Sequence, residues 1–149
     1  LAGDLTLNVT KAVPAGKEAK LLVVRMDRGK PSPKGGTYAN GKITTEVRTL
    51  GAFTVMLDTV PPTLTPLDLK TDMKGRSAFR IKVGDNLSGL DQWTGTIDGQ
   101  WILLDYDPKR GELEHTFDSH TDLPGTHVLK VEASDERGNR ASLTRQFTR

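Results

Sequence analysis

Short segments in which apolar and polar residues alternate recur along most of the chain. In three of them the apolar residues share one face: Phe79, Ile81 and Val83; Leu129, Val131 and Ala133; and Ala141, Leu143 and Phe147. Successive side chains of a strand point to opposite faces, so a spacing of two predicts half-buried β-strands. No stretch of twelve residues carries apolar positions at three- and four-residue spacing. The pattern therefore predicts an all-β protein.

The composition changes where Asp58-Thr59-Val60 leads into Pro61-Pro62. Two consecutive prolines lack two backbone donors and restrict φ, so a central strand cannot run through them. A stiff, extended step between two strand-rich regions is typical of a domain junction. We predict two β-sandwich modules in tandem: a small or incomplete one at 1–58, a junction at 59–61, and a second at 62–149.

The first module is predicted to hold about four strands, at 5–10, 19–26, 42–48 and 52–57. Between the second and third lies a segment from Asp27 to Asn40 that is rich in glycine and proline. This composition predicts a long irregular loop. Because a region of under about sixty residues buries little surface, we expect the module to be part of a larger sandwich or to be stabilised by contacts with its neighbour.

The second module is predicted to hold seven strands, at 63–69, 77–83, 91–97, 100–106, 112–118, 126–133 and 140–147. Asp98-Gly99 separates two of them, and this dipeptide favours a two-residue type I′ hairpin. Seven short strands in about ninety residues are typical of an immunoglobulin-like or fibronectin-III-like sandwich.

The predicted strand at 100–106 is apolar on both faces. Trp101 and Leu103 share one face, and Ile102, Leu104 and Tyr106 share the other. We expect one face to fill the core and the other to be covered by the first module or a partner. Trp93 aligns with Ile97 and Trp101 with Leu103, so packing of both indoles in the core is favoured, which leaves Ile102, Leu104 and Tyr106 as the predicted partner surface. The alternative is that an exposed tryptophan forms a platform for a sugar.

Composition narrows the function classes. The chain has 21 basic and 19 acidic residues, interleaved throughout, for a net charge of +2. A nucleic-acid binder usually gathers its basic residues on one element, so nucleic acid is not an expected partner. No apolar run approaches the ~20 residues that span a bilayer. There is no cysteine, which excludes disulfides and thiolate chemistry. The chain begins at Leu1 without Met or a signal segment, so we expect a mature or excised piece of a longer protein.

Candidate catalytic groups are sparse. The three histidines are His115, His120 and His127, and their spacing does not suggest the three or four converging ligands that zinc needs. His115 has the parity of Leu113 and Phe117 and is expected to point inward. There is no Gly-x-Ser-x-Gly elbow and no glycine-rich phosphate loop before a helix. We therefore expect no enzyme activity from this chain.

Acidic and amide side chains follow several of the predicted strands. In a meander of seven strands, the junction and alternate loops meet at one pole, which collects the calcium candidates Asp58, Asp85, Asn86, Asp135 and Asn139. Converging hard oxygen ligands are what Ca²⁺ binds, six to eight at a time. The alternative, which explains each residue singly, is that Asp, Asn and Gly stand there for turn chemistry.

Several runs of residues, in order along the chain, resemble one known group of proteins. They are Gly35-Gly36-Thr37-Tyr38, Val47 to Val55, Asp58 to Leu64, Asp85-Asn86-Leu87-Ser88-Gly89, Thr96 to Leu103, Asp105-Tyr106-Asp107, Phe117-Asp118, Pro124-Gly125 and Asp135 to Asn139. Together they resemble the C-terminal, non-catalytic half of cell-envelope proteins whose N-terminal half is a lysostaphin-like zinc endopeptidase acting on peptidoglycan. Such peptidases carry a His-x-His pair, and none occurs here. The resemblance implies a bacterial envelope setting, outside the cytoplasm, and carries no catalytic residue over to this chain.

Two functions are compatible with these observations. The first is an accessory module that spaces and braces a catalytic domain upstream in the same chain or contacts the cell-wall polymer. The second is a tandem module that recognises glycan or protein at the cell surface, stiffened by calcium. An exposed aromatic would favour the second, and a covered apolar strand face would favour the first.

Overall fold

A computed structural model describes residues 2–149. These residues form fourteen β-strands and one short 3₁₀ helix, Glu18–Lys20, so the all-β prediction is confirmed. Contacts between residues divide the chain into two compact units. Unit 1 contains residues up to Val60 together with two loops, Asn86–Gly89 and Glu136–Asn139, and unit 2 contains the rest. No helix within 2–149 is long and apolar enough to cross a membrane.

Unit 1 contains six strands in two three-stranded antiparallel sheets. The strands are β1 Gly3–Asn8, β2 Leu21–Asp27, β3 Lys30–Pro33, β4 Thr37–Ala39, β5 Lys42–Val47 and β6 Ala52–Leu57. One sheet has the order β1-β5-β4 and the other β3-β2-β6. The buried centre of unit 1 is small: Leu21, Val23 and Ile43 are surrounded by partly buried apolar residues from β1, β4 and β6.

The predicted irregular loop at 27–40 is wrong, because it contains β3 and β4. Arg28 and Gly29 both have positive φ and join β2 to β3 by a two-residue turn, and Asn40-Gly41 does the same between β4 and β5. Prolines are tolerated in β3 because it is an edge strand that pairs only with β2. The Asn-Gly dipeptide was the sequence signal for the second hairpin.

Unit 2 is a sandwich of two four-stranded sheets. Its strands are β7 Thr63–Pro66, β8 Ala78–Gly84, β9 Leu90–Ile97, β10 Gln100–Ile102, β11 Asp105–Asp107, β12 Glu112–Thr116, β13 Thr126–Asp135 and β14 Arg140–Thr148. The sheets have the orders β10-β9-β13-β14 and β11-β12-β8-β7. Asp98 and Gly99 have φ of 52° and 80° and connect β9 to β10, which confirms the predicted hairpin.

The core of unit 2 follows the predicted alternation. Phe79, Ile81 and Val83 of β8 are buried, as are Leu129, Val131 and Ala133 of β13, and Leu143 and Phe147 of β14. Ala141 is only partly buried. The period-two pattern thus identifies the inward face of three strands correctly.

The predicted single strand at 100–106 is wrong, because it is two strands in different sheets. β10 belongs to the sheet of β9, and β11 belongs to the sheet of β12. The chain crosses from one sheet to the other at Leu103–Leu104, which we call the crossing. A strand that changes sheets closes a corner of a sandwich, and alternation along a sequence does not mark that event.

Candidate ligand-binding groove

A groove of about 590 Å³ lies in unit 2 beside the crossing. Its walls come from the β9–β10 turn, from β10 and the crossing, and from residues 115–123 at and after the end of β12. His127, at the start of β13, completes it. Ligand sites of small molecules typically have this size and combine apolar surface with a few polar groups. We call this the Trp101 groove.

Trp101 stands at the groove with 68% of its surface exposed, and Leu103 beside it is 55% exposed. The prediction that Trp101 packs in the core is therefore wrong. Trp93 is partly buried against the core, as predicted. Trp101 and Leu103 together form an exposed apolar patch beside a concave surface, an arrangement found at ligand-binding grooves.

The predicted partner surface is corrected by the same observation. Ile102 and Leu104 are buried in the core of unit 2, and Tyr106 packs against that core. The two faces separate as the alternation predicted, but the inward and outward assignments are reversed. The face available to a ligand is that of Trp101 and Leu103.

Two inward-pointing rings hold the crossing in place. Residues 103 and 104 lie outside both sheets, and their carbonyl groups need other donors. His115 Nδ1 lies 2.9 Å from the carbonyl oxygen of Leu103, so this nitrogen carries the proton. Trp93 Nε1 donates to the carbonyl oxygen of Leu104 at 3.1 Å. His115 is buried, as predicted, and its ring supports the strand that presents Trp101.

His127 links two walls of the Trp101 groove. Its Nδ1 lies 2.6 Å from Asp98 Oδ2 in the β9–β10 turn, and its Nε2 lies 2.7 Å from the carbonyl oxygen of Leu123. A carboxylate and a carbonyl can only accept, so both ring nitrogens donate and the ring is an imidazolium. The hydrogen bond that His127 donates to Asp98 raises the pKa of His127, and burial opposes this shift. The same hydrogen bond, together with the one from the Val128 N–H, lowers the pKa of Asp98.

The stability of unit 2 is expected to fall as the pH rises above neutrality. Because the pKa of His127 is raised, its contribution is complete below the unfolded value of about 6.5 and is lost as the pH rises through the folded pKa. Because the pKa of Asp98 is lowered, its contribution is present above about 3.9 and is lost as the pH falls through its folded pKa. Thermal melts from about pH 5 to about pH 9 measure this dependence.

His127→Gln should lower the melting temperature at about pH 6 and flatten the decline toward about pH 9. His120→Gln is the matched control, because His120 is an exposed histidine at the same groove. An equal decline in the wild type and in His127→Gln would contradict this assignment.

The remaining wall of the Trp101 groove is a loop organised by Asp118. Asp118 Oδ1 accepts the N–H groups of His120 and Thr121 at 2.9 and 3.0 Å, and the Thr121 hydroxyl at 2.9 Å. The Thr121 hydrogen bond is the main cause of the lowered pKa of Asp118. Asp105 also lines the groove and is exposed at the start of β11. The groove therefore combines an aromatic face with carboxylates from three segments, Asp98, Asp105 and Asp118.

Sequence reasoning identified Trp101 as an alternative sugar platform but missed the polar residues around it. Gln100, Asp105 and Asp118 come from three different segments, and only the fold brings them to one groove. The one sequence signal was that Trp101 follows the Asp98-Gly99 turn by two residues. That position places a side chain beside a loop, where binding residues concentrate.

Three of the predicted calcium candidates lie in unit 1. Asp58 is 1% exposed, and its carboxylate accepts the N–H of Val60 at 3.2 Å and of Ser88 at 2.9 Å. Asn139 Nδ2 donates to the carbonyl oxygen of Asp58 at 3.1 Å, and Asn86 is exposed. At Asp58 and Asn139 the side chains therefore hydrogen-bond to backbone groups of the loops, as the turn-chemistry alternative predicted.

The other two candidates, Asp85 and Asp135, lie in unit 2 at the ends of β8 and β13. Each offers a carboxylate oxygen within 4.8 Å of the other. Asp135 is buried and Asp85 is partly buried. Calcium binding at these residues stays a prediction.

Unit 1 has an open groove of its own. It is lined by residues 7–14, by Leu21 and by residues 53–57 of β6, and its volume is about 590 Å³. β1 and β6 are edge strands of their sheets. Its lining carries one charged residue, Lys11, and the polar side chains of Asn8, Thr10 and Thr54.

Comparisons with known proteins cover the chain unevenly. Residues 2–58, which are less than half of the chain and span the six strands β1 to β6, match the family described as Zu5-like domain. No curated protein matches the sequence. Among solved structures, fibronectin(III)-like modules of Clostridium thermocellum CbhA are similar, with 11% identity and a TM-score of 0.48, over 97% of this chain and 84% of that chain. A similarity at this level carries no argument about function.

Proposed function

We propose that this chain is a non-catalytic accessory module of an exported cell-envelope protein, and that it binds a cell-wall glycan in the Trp101 groove. One observation carries the proposal: an indole 68% exposed at a concave surface with carboxylate, amide and hydroxyl groups around it. Sugars present apolar C–H faces ringed by hydroxyls. An aromatic face with surrounding acceptors matches that pattern.

The charge states at the groove support binding rather than catalysis. A glycosidase needs one carboxyl group with a raised pKa to act as the acid. The pKa values of Asp98 and Asp118 are both lowered. Asp98 accepts hydrogen bonds from His127 and the Val128 N–H of β13, and Asp118 accepts them from its own loop. These groups act as fixed acceptors that position a ligand.

Trp101→Ala is expected to abolish retention of the protein by purified cell-wall polysaccharide. Loss of a central aromatic contact typically weakens binding by about tenfold or more. Co-sedimentation of the full chain with insoluble cell wall measures the retained fraction. Leu67→Ala is the control, because Leu67 is an exposed apolar residue of unit 2 outside the groove.

The bracing function makes the opposite prediction. A spacer module stays in the supernatant with every purified polymer, and Trp101→Ala then changes nothing. Equal retention of wild type and Trp101→Ala would also contradict the assignment of the groove, because it would place the binding surface elsewhere.

We further propose a lysostaphin-like zinc endopeptidase as the catalytic domain of the same polypeptide. Support comes from the ordered sequence runs from Gly35 to Asn139 that resemble the C-terminal half of such proteins. The gene from which the chain derives tests this directly. An upstream domain with a His-x-His pair supports the proposal, and a different upstream domain contradicts it.

Calcium binding is a separate proposal for Asp58, Asp85, Asn86, Asp135 and Asn139. It rests on the chemistry of these side chains, since carboxylate and amide oxygens are the ligands that calcium takes. A ligand that binds only the folded state raises its melting temperature. A melt with millimolar calcium should exceed a melt with chelator by several degrees, and identical midpoints remove the proposal.

A further inference from the structure

We propose that the Trp101 groove selects a glycan whose amino sugars carry a free amine, so that the ligand is a polycation at neutral or acidic pH. This inference rests on the proposed glycan-binding function and names the sugar chemistry. It follows from the charge of the groove, which differs from the charge of the whole chain.

The groove is acidic in a basic protein. Asp98, Asp105 and Asp118 lie along it, and none of its lining residues in the described chain is Lys or Arg. The chain as a whole has 21 basic residues and a net charge of +2. One of the three carboxylates, Asp98, is neutralised by His127 at 2.6 Å. Asp105 and Asp118 leave a net negative groove that repels phosphate and uronate polymers and attracts a cation.

The indole adds a second preference for a cation. An ammonium group near the face of a tryptophan is attracted by the ring's quadrupole, and Trp is the strongest of the aromatic residues in this respect. At 68% exposure the ring of Trp101 is open to such a contact. An N-acetylated sugar is neutral, so it can stack on the indole. It gains neither the attraction to the carboxylates nor the cation–π contact.

The geometry suits an extended polymer rather than a single residue. The carboxylates come from separate segments: Asp105 follows the crossing, and Asp118 lies in the loop after β12. A volume of about 590 Å³ holds more than one sugar ring. Successive amines on a strand can therefore meet different acceptors while one ring stacks on Trp101.

Calorimetric titration of the full chain with three hexasaccharides tests the inference: glucosamine, N-acetylglucosamine and glucose oligomers. At about pH 6, below the pKa of such amines, the glucosamine oligomer should bind about tenfold tighter than the other two. Raising the salt to about 1 M, where the Debye length is about 3 Å, should remove most of that preference.

Two variants locate the effect. Asp105→Asn should reduce the preference for the glucosamine oligomer over the N-acetylated one several-fold, because the amide keeps an acceptor oxygen and removes the negative charge. Asp91→Asn is the matched control, because Asp91 is an exposed carboxylate of unit 2 outside the groove.

The outcomes separate the two proposals. Equal affinity for all three oligomers, lost in Trp101→Ala, overturns the amine preference and leaves glycan binding standing. No binding of any oligomer overturns both. A hexalysine peptide that binds as tightly as the glucosamine oligomer shows that the groove selects cations and not sugars, and overturns the inference.

Discussion

Replacing Asp58 with alanine is expected to lower the free energy of unfolding of unit 1 by about 3 kcal/mol. The carboxylate is almost completely buried and accepts the N–H groups of Val60 and Ser88. Ser88 is itself 2% exposed, so water cannot replace the lost acceptor there. An unsatisfied buried donor costs about 1–3 kcal/mol, and the small core of unit 1 has little to offset it.

Both tryptophans lie in unit 2, so their fluorescence does not report on unit 1. Calorimetry, or hydrogen exchange at the amides of β2, measures the loss instead. Asp58→Asn keeps one acceptor oxygen, so it should lower the free energy of unfolding of unit 1 by less than Asp58→Ala does. Asp27→Ala is the control in the same unit, because Asp27 is 63% exposed and makes only a surface ion pair with Arg25. Similar losses in Asp58→Ala and Asp27→Ala would refute the assigned role.

Gly95→Val is expected to destabilise unit 2 by about 3 kcal/mol and to disturb the crossing. A Cβ atom at Gly95 would lie 2.7 Å from Leu104 Cδ1 and 3.1 Å from Ile102 Cγ1. Both of those side chains are buried, so neither can move aside without opening the core. Glycine at this position is what lets the crossing pack closely against β9.

Urea unfolding followed by tryptophan fluorescence measures this change, because Trp93 and Trp101 both lie near the crossing. Gly84→Ala is the matched control, since a Cβ there would meet only Thr63 Oγ1, at 3.6 Å. A double variant that also shortens Leu104 provides a sharper test. The losses in free energy of unfolding caused by Gly95→Ala and by Leu104→Ala should sum to more than the loss in the double variant. Strict additivity would show that Leu104 is not what excludes a side chain at position 95.

These two results bear on function in different ways. Asp58, Ser88 and Asn139 organise the loops of unit 1, so Asp58→Ala should leave ligand binding at the Trp101 groove intact wherever unit 2 remains folded. Gly95 supports the strand that presents Trp101, so Gly95→Val should weaken retention by the cell wall as well as stability. Measuring both properties in both variants separates folding from binding.

Much of the fold was predictable because its strands bury only one face. Phe79, Ile81 and Val83 alternate with polar residues, and a period of two has a single structural explanation. The Asp98-Gly99 turn was predictable because two consecutive positive φ angles strongly favour such a dipeptide. The loop at 27–40 was mispredicted because proline and glycine were taken as excluding strands, whereas an edge strand tolerates both.

The candidate site was only partly predictable. Trp101 was recognised as a possible platform, but its exposure could not be derived from a segment that is apolar on both faces. His127 and Asp98 are 29 residues apart in sequence, and their ion pair depends on strand pairing that no local pattern specifies. The polar walls of the groove come from loops whose positions are set by the sandwich.

The sequence by itself determined the all-β class, the inward faces of β8 and β13 and the β9–β10 hairpin, because local alternation and turn chemistry act over a few residues. Only the tertiary structure decided that residues 100–106 change sheets, that Trp101 faces outward while Ile102 and Leu104 face inward, and that the 86–89 and 136–139 loops group with unit 1. The physical reason is that each of these outcomes depends on contacts between segments far apart in the chain. Glycine at position 95, for example, determines how closely the crossing can approach β9.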